Sequence, residues 1–215
     1  MDRRTIVEAA LSLLDEVGLD RLTVRRLAER LDVKSPALYW HFRNKQELLD
    51  RLAEHLRAPH SPPEPGEDWR AWIARRAREQ RALLLEHRDA ARVVAGARTG
   101  PAALATIDAD LAVLVGFGFT PARALRAGAL LDHYVLGSAL QRQADHRRHA
   151  DEGTMPPELM SEEQRTVLTE GAPTLAAALR EGGDPDGDDA FEEGLGMITD
   201  GIAPPPRPGT PAPAP

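Results

Sequence analysis

Apolar residues recur along most of this chain at three- and four-residue spacing, and nowhere with the two-residue alternation of a half-buried strand over a useful length. An all-α fold follows. The first helix is expected from Arg3 to Val17, with Ile6, Ala10, Leu13, Leu14 and Val17 on its inner face and Gly18 as a left-handed cap. Thr23 then caps a short helix whose Val24, Leu27, Ala28 and Leu31 share a face. The turn Leu31-Asp32-Val33-Lys34 carries one apolar side chain, Val33, suited to plug the corner between two steeply crossed helices. A third helix, Pro36 to Phe42, is expected behind Ser35 as N-cap, with Pro36 at its first position, where the missing N–H costs nothing. Leu38 and Phe42 form its buried side, which leaves Ser35, Ala37, Tyr39 and His41 outward. Asn44 and Glu47 form a capping box for a fourth helix ending near Ala58.

Two helices and a short turn, held by a third, make a helix-turn-helix, and its exposed chemistry suits the DNA major groove. A helix entering the groove needs small residues at its start, hydroxyls for base edges and flanking cations for phosphates. Ser35, Pro36, Ala37 and Tyr39 meet the first needs, and Arg25, Arg26, Lys34, Arg43 and Lys45 the last. The chain has only two lysines, Lys34 and Lys45, and they bracket the third helix. A buried aromatic segment is the alternative for LYWHF, but burial does not call for cations on both sides.

Beyond Ala58 the pattern changes at HSPPEPGED, residues 60–68, a Pro-rich connection between a reading head and a larger body. The body opens with a helix from Trp69 to about Glu86, a segment from His87 to Ala97 and a helix from Pro101 to Val115. Thr120 and Pro121 open a helix reaching about Arg148, roughly 42 Å long at 1.5 Å per residue. Its small and apolar positions include Leu125, Gly128, Ala129, Val135 and Ala139. Near the end of the chain Phe191, Leu195, Ile198 and Ile202 form an apolar seam at spacings of 4, 3 and 4. Two such helices from each of two chains close a four-helix bundle. Two core helices of a monomer are the alternative. Ser161 to Gln164 form a capping box for a helix reaching Glu181 that Pro173 kinks. The division expected is 1–58 head, 59–203 body and 204–215 a Pro-rich tail without the means to bury a core.

Charge refines this picture. The chain carries −7, yet residues 1–58 hold 11 basic and 10 acidic side chains, a net +1. The head is therefore not a cationic module that coats DNA; a few placed cations and a dimer reading two half-sites are expected instead. Cysteine is absent, which excludes a disulfide scaffold or thiolate metal site. No long uncharged apolar run occurs, so a cytoplasmic protein without membrane attachment is expected.

The segment from Arg3 to Leu56 resembles the N-terminal signature of the TetR family of transcriptional regulators. GEDW at 66–69, LLEHRDAARVVAG at 84–96, GFGFTPARAL at 116–125, LGSAL at 136–140, MPPEL at 155–159 and AFEEGLGMI at 190–198 extend the resemblance to its tetracycline-repressor subgroup. The resemblance implies Arg25, Ser35, Pro36 and Tyr39 as base contacts and Thr23, Trp40, His41 and Lys45 at or near phosphates. It implies dimerisation through two body helices, involving Leu125, Ala129, Val135, Phe191, Leu195, Ile198 and Ile202. It also implies that the connection, about three residues shorter here, transmits ligand-driven movement to the head.

The same resemblance locates an effector site and shows that it has changed. The positions that organise magnesium and tetracycline map to Val94, Ala97 and Gln141. Valine and alanine cannot ligate a cation. Other pocket positions map to Arg76, Gln80, Arg98 and Asp110, with Ile107, Leu114 and Leu125 as apolar wall. Two arginines and one aspartate suggest an anionic or strongly hydrogen-bonding effector, with Asp110 balancing one arginine and the ligand the other, because an unpaired buried arginine is too costly. The alternative is that Arg76 and Arg98 are exposed or join helices through acidic partners.

Catalytic and metal readings fall away. DPDGDD at 184–189 has aspartates at alternate positions, but its sixth loop position is Asp189 and its twelfth Leu195, so it is not a calcium loop. His146 and His149 lack a third ligand, and no nucleophile elbow, phosphate loop or dinucleotide fingerprint occurs. A homodimeric repressor that leaves a palindromic operator on binding a small molecule, with no catalytic residue, metal or cofactor, is the reading that results. A regulator without an effector, or a ligand-binding or enzymatic helical body with a vestigial head, are its alternatives.

Overall fold

The computed structural model describes residues 2–152 and 170–202, and among the described residues there are ten helices and no strand. The head holds α1 (Arg3–Val17), α2 (Val24–Arg30), α3 (Ser35–Leu38) and α4 (Lys45–His55). The body holds α5 (Trp69–Glu86), α6 (Ala90–Ala95), α7 (Pro101–Gly116), α8 (Pro121–Glu152), α9 (Pro173–Gly182) and α10 (Asp188–Gly201).

Local chemistry sets the head's boundaries. Asp2 accepts the Thr5 N–H at 2.8 Å and starts α1, whose Ile6, Ala10 and Leu14 are fully buried. Gly18 follows at φ 75°, and a Cβ there meets an Asp89 carboxylate oxygen at 3.0 Å, so both conformation and close approach require glycine. Thr23 caps α2 through the Arg26 N–H at 3.2 Å. Asp32, in left-handed conformation at φ 52°, turns the chain so that the Val33 N–H reaches the Ala28 carbonyl at 3.0 Å. Val33 packs against the core in the corner expected for it.

The third helix is shorter than expected. Ser35 is its first residue, not its cap, and Lys34 precedes it without a side-chain cap bond. After Leu38 the His41 and Phe42 N–H groups both turn back to the Leu38 carbonyl, at 2.9 and 3.0 Å. This tight turn lets Asn44 extend and cap α4 through the Glu47 N–H at 2.9 Å, a geometry that a continued helix would deny it. Glu47 completes the box one residue early, on the Arg43 N–H at 2.8 Å. Helix α4 likewise stops at His55 and not near Ala58. The Leu56 carbonyl and the Ala58 N–H are diverted to the side chain of Gln80.

In the body, α8 packs along α5 and α7, α6 sits between α4 and α8, and α10 rests on α5. Helix α8 runs 32 residues, four more than expected, about 48 Å. Buried Gln143 on α8 ties the end of α5 to the start of α6. It donates to the Leu84 and His87 carbonyls at 2.7 and 2.8 Å and accepts the Ala91 N–H at 3.2 Å. Arg81 is also buried, with Ser138 at 3.2 Å, Asp188 at 2.8 Å and the Phe191 ring 4.4 Å from its guanidinium carbon.

Two body expectations change. Pro173 sits at a break and not within a continuous helix: the π-helical residues 170–171 give way to a non-helical Ala172, and Pro173 opens α9, where its missing donor is harmless. The Ser161 capping box lies outside the described residues. The seam near the end of the chain closes inside the chain: Phe191, Leu195, Ile202 and the facing Val135 are all buried within one protomer. Tyr134 stacks on Phe191 at 5.3 Å and donates to the Phe191 carbonyl at 3.0 Å, which fixes that face inward.

A polar joint connects head and body. Asp89, only 3% exposed and at φ 58°, accepts the Leu19 N–H at 2.9 Å and pairs with Arg147 at 2.6 Å and Arg92 at 3.3 Å. Arg92 extends the joint to Asp20 at 2.9 Å, while Asp15 takes His87 and the Arg88 N–H, both at 2.9 Å. Burial pushes the Asp89 carboxyl up, but the Leu19 N–H and the two arginines outweigh it and hold the carboxyl below its ordinary value. A depressed carboxylate stabilises the fold fully above its unfolded value of about 3.9, and the contribution fades as pH falls through the folded value. Asp89→Asn keeps a residue that tolerates the left-handed conformation, removes the charge and turns one of the two accepting oxygens into a donor. The expected loss is about 2 kcal/mol at pH 7, and thermal melting against pH will show the difference from the wild type shrinking below about pH 4.

Candidate nucleic-acid interface and ligand cavity

The head presents its third helix and the following turn as a raised surface. Leu38 and Phe42 anchor it in the core, and between them Tyr39 is 54% and Trp40 88% exposed. Folding gives no reason to leave a tryptophan in water, since its burial is worth several kcal/mol. Thr23, Arg25 and Pro36 are exposed beside it, while Ser35 and His41 are half-buried. Arg25 pairs with Glu29 at 2.9 Å on a fully solvated face, a contact easily exchanged for a phosphate. Lys45 is half-buried and its Nζ lies 3.4 Å from the Leu19 carbonyl.

The body holds a half-open cavity of about 310 Å³ lined by α5, α7, α8 and the residues just after α4. Arg76, Gln80, Ile107, Asp110, Leu114 and Leu125 line it together, as expected of a pocket. Val94 and Arg98 do not. Val94 is buried on the short α6. Past α6 the chain turns to α4, where Arg98 is largely exposed and holds Asp50 through its backbone N–H at 3.0 Å and its guanidinium at 2.9 Å. Ala129 and Val135, expected only at a dimer contact, line the cavity as well.

The charge arrangement differs from the expected sharing between Asp110 and a ligand. Arg76 pairs with Glu79 at 2.8 Å and Asp110 at 3.2 Å, and reaches the Ala58 carbonyl at 3.4 Å. Asp110 also holds His60 of the connection at 2.6 Å. Both arginines are thus neutralised inside the protein, because helix neighbours and α4 supply carboxylates within reach. The Arg76 Nε is buried without a partner. Sequence reasoning missed Arg57, Thr106, Asp132 and His133 in the lining. Arg57 and Asp132, 3.9 Å apart, come from elements far apart in sequence, so no spacing signalled them.

The connection itself is stapled to α5. Trp72 donates to the Ser61 carbonyl at 2.9 Å, and Arg75 binds Ser61, the Pro62 carbonyl and Glu67. The hydrogen bonds from Arg75 bring the Glu67 carboxyl down to about 2. Among the described residues no three His, Cys, Asp or Glu side chains converge as a metal site. Asp184, first of the acidic loop, pairs with Arg142 at 2.9 Å. No helix among them is long and apolar enough to cross a membrane.

A helix-turn-helix head joined to a helical body with a cavity defines a regulator that carries its own sensor. Residues 6–52 match the family model for bacterial regulatory proteins of the tetR family, and residues 62–204 the model for the tetracyclin repressor-like C-terminal domain. The chain belongs to the TetR family of bacterial regulatory proteins. It is 42% identical over 202 residues to the class A tetracycline repressor protein from transposon 1721 of Escherichia coli, a span of 93% of this chain and 89% of that one. The structure of a possible TetR family transcriptional regulator from Streptomyces coelicolor A3(2) superposes with a TM-score of 0.75 at 38% identity, covering 94% of this chain and 98% of that one. The structure of class A TetR in complex with 5a,6-anhydrotetracycline and magnesium gives a TM-score of 0.69 at 37% identity, with the same coverage.

Proposed function

We propose that this chain is a transcriptional repressor that binds a palindromic operator as a homodimer and leaves it when a small molecule fills the cavity. The observation that carries the reading is the outward pair Tyr39 and Trp40 on a turn anchored by Leu38 and Phe42. That arrangement spends two large aromatics on solvent in the one element whose size and flanking cations suit the major groove.

A dimer is supported by the apolar surface left on α8 and α10 once the chain's own core is closed. Leu125 and Leu130 are about half exposed and Met197 is 66% exposed, and these outward positions replace the buried Val135, Phe191, Leu195 and Ile202 as candidates for contact with a partner. Release then follows as a population shift: an occupied cavity favours a spacing of the two heads that does not fit successive major grooves.

The effector we infer is a largely apolar molecule with a hydrogen-bonding end. Trp72, Ile73, Leu111 and Leu114 form apolar wall, and Arg76, Gln80 and Asp110 form a polar end whose own charges are already paired. A structure similar to this one holds anhydrotetracycline with magnesium. Val94, Ala97 and Gln141 give this chain no carboxylate or imidazole with which to hold that metal. Anhydrotetracycline with millimolar magnesium is therefore expected neither to raise the melting temperature nor to displace DNA. A shift that depends on magnesium in either assay contradicts the effector assignment.

The DNA assignment is tested by footprinting the purified protein on its upstream DNA and on selected random sequences across a salt series. A protected palindrome is expected, with log affinity falling by about 0.9 for each neutralised phosphate per log unit of salt. Tyr39→Ala is expected to abolish protection while leaving the melting temperature within a degree or so, since the side chain is mostly in water. Uniform weak protection that ignores Tyr39→Ala counts against the assignment.

A further inference from the structure

We infer that Gln80 is the residue through which the contents of the cavity reach the DNA-reading head, an inference that rests on the regulatory function just proposed. Gln80 belongs to two sites at once. Its side chain lines the cavity, and both ends of its amide are spent on the last turn of the head. The Oε1 accepts the Ala58 N–H at 2.8 Å, and the Nε2 donates to the Leu56 carbonyl at 2.9 Å. One planar amide thus satisfies a donor and an acceptor two residues apart where α4 stops.

Helix α4 is held to the body near its start by Gln46 with the Gly96 carbonyl, at its middle by Asp50 with Arg98, and at its end by this clamp, which is the contact that also meets the cavity. Of the other polar contacts at this turn, Arg76 to the Ala58 carbonyl at 3.4 Å and Arg57 to Asp132 at 3.9 Å are longer, while His60 to Asp110 at 2.6 Å is shorter but lies beyond the last turn of the head. Beyond Pro59 the chain is stapled to α5 by Trp72 and Arg75, so it does not follow a moving head. The stretch between α4 and these staples, residues 56–59, is left to yield. Leu56 and Ala58 are buried, at 0% and 7% exposure. A ligand group that takes over the Gln80 amide strands their backbone N–H and C=O groups away from water. A buried unpaired backbone group costs more than the exchanged hydrogen bond returns, and the cost is relieved when the end of α4 moves out to solvent. Helix α4 packs on α1, so that movement carries the head. By linkage the converse holds: DNA that fixes α4 keeps Gln80 occupied and disfavours the ligand.

The test uses the full-length protein as wild type, Gln80→Leu and Gln80→Glu, with amide hydrogen exchange and affinity for the palindrome recovered by footprinting. Gln80→Leu is expected to speed exchange of the Ala58 amide at least tenfold and to weaken operator binding about tenfold, the effect of two lost hydrogen bonds. Gln80→Glu keeps an acceptor for Ala58 but loses the donor to Leu56. It is expected to leave Ala58 protected and still weaken operator binding, a split that general destabilisation does not produce. A folded Gln80→Leu protein with unchanged Ala58 exchange, or one with operator affinity within twofold of the wild type, overturns the inference. Failure of the repressor reading is distinct, because it is seen in the wild type as the absence of any protected palindrome.

Discussion

The fold turns on how a small head is held against a large body, and the central constraint is the buried carboxylate of Asp89. A charge that is 3% exposed survives only if it is fully satisfied, and its partners come from three separate places: the loop after α1, its own short helix, and α8. The loop can approach because Gly18 has no side chain there. Asp89 adopts the left-handed conformation that aims its carboxylate at the loop. Loop, α6 and α8 are therefore placed relative to one another by one side chain. Around it lie directional contacts of the same kind, Asp15 with Arg88 and Asp50 with Arg98.

Directional polar contacts have a consequence that a greasy interface lacks. An apolar surface tolerates small slides, whereas a hydrogen-bonded joint is either made or broken, which is the behaviour a two-state regulator needs. The cavity sits where it can exploit this. Its polar end is formed by Arg76, Gln80 and Asp110, and each also touches the chain between head and body, at Ala58, at Leu56 and at His60. The wall that meets a ligand and the wall that holds the head are then the same few side chains.

The helical architecture was legible in the sequence because periodicity and capping are local. Asn44 with Glu47, Thr23, Pro121 and the Leu38 and Phe42 anchor each depend on residues within one turn. The third helix is shorter than its local sequence predicts because the tight turn after Leu38 is set by the geometry of the next cap and not by the intrinsic preferences of Tyr39, Trp40 and His41. The apolar spacing of Phe191, Leu195 and Ile202 showed that a face is buried but not against what, and it is buried against the chain's own α5 and Tyr134. Resemblance places Arg98 and Val94 at the cavity, and neither lines it. The turn after α6 carries Arg98 to Asp50, a contact between elements 48 residues apart that no spacing encodes. The role of Gln80 in closing α4 was hidden for the same reason.

The central claim is that the spacing of the two heads, set through the wall of the cavity, decides whether the protein fits DNA. The absence of cysteine makes one direct measurement available: Glu8→Cys on the exposed face of α1, spin-labelled, reports the distance between the two heads of a dimer by pulsed electron resonance. A single narrow distance is expected on operator DNA, with a shifted or broadened distribution in the same protein carrying Gln80→Leu, which lacks the contacts to Leu56 and Ala58. The same narrow distance in the two proteins, or no dipolar coupling at all, contradicts a dimer whose head spacing is controlled from the cavity.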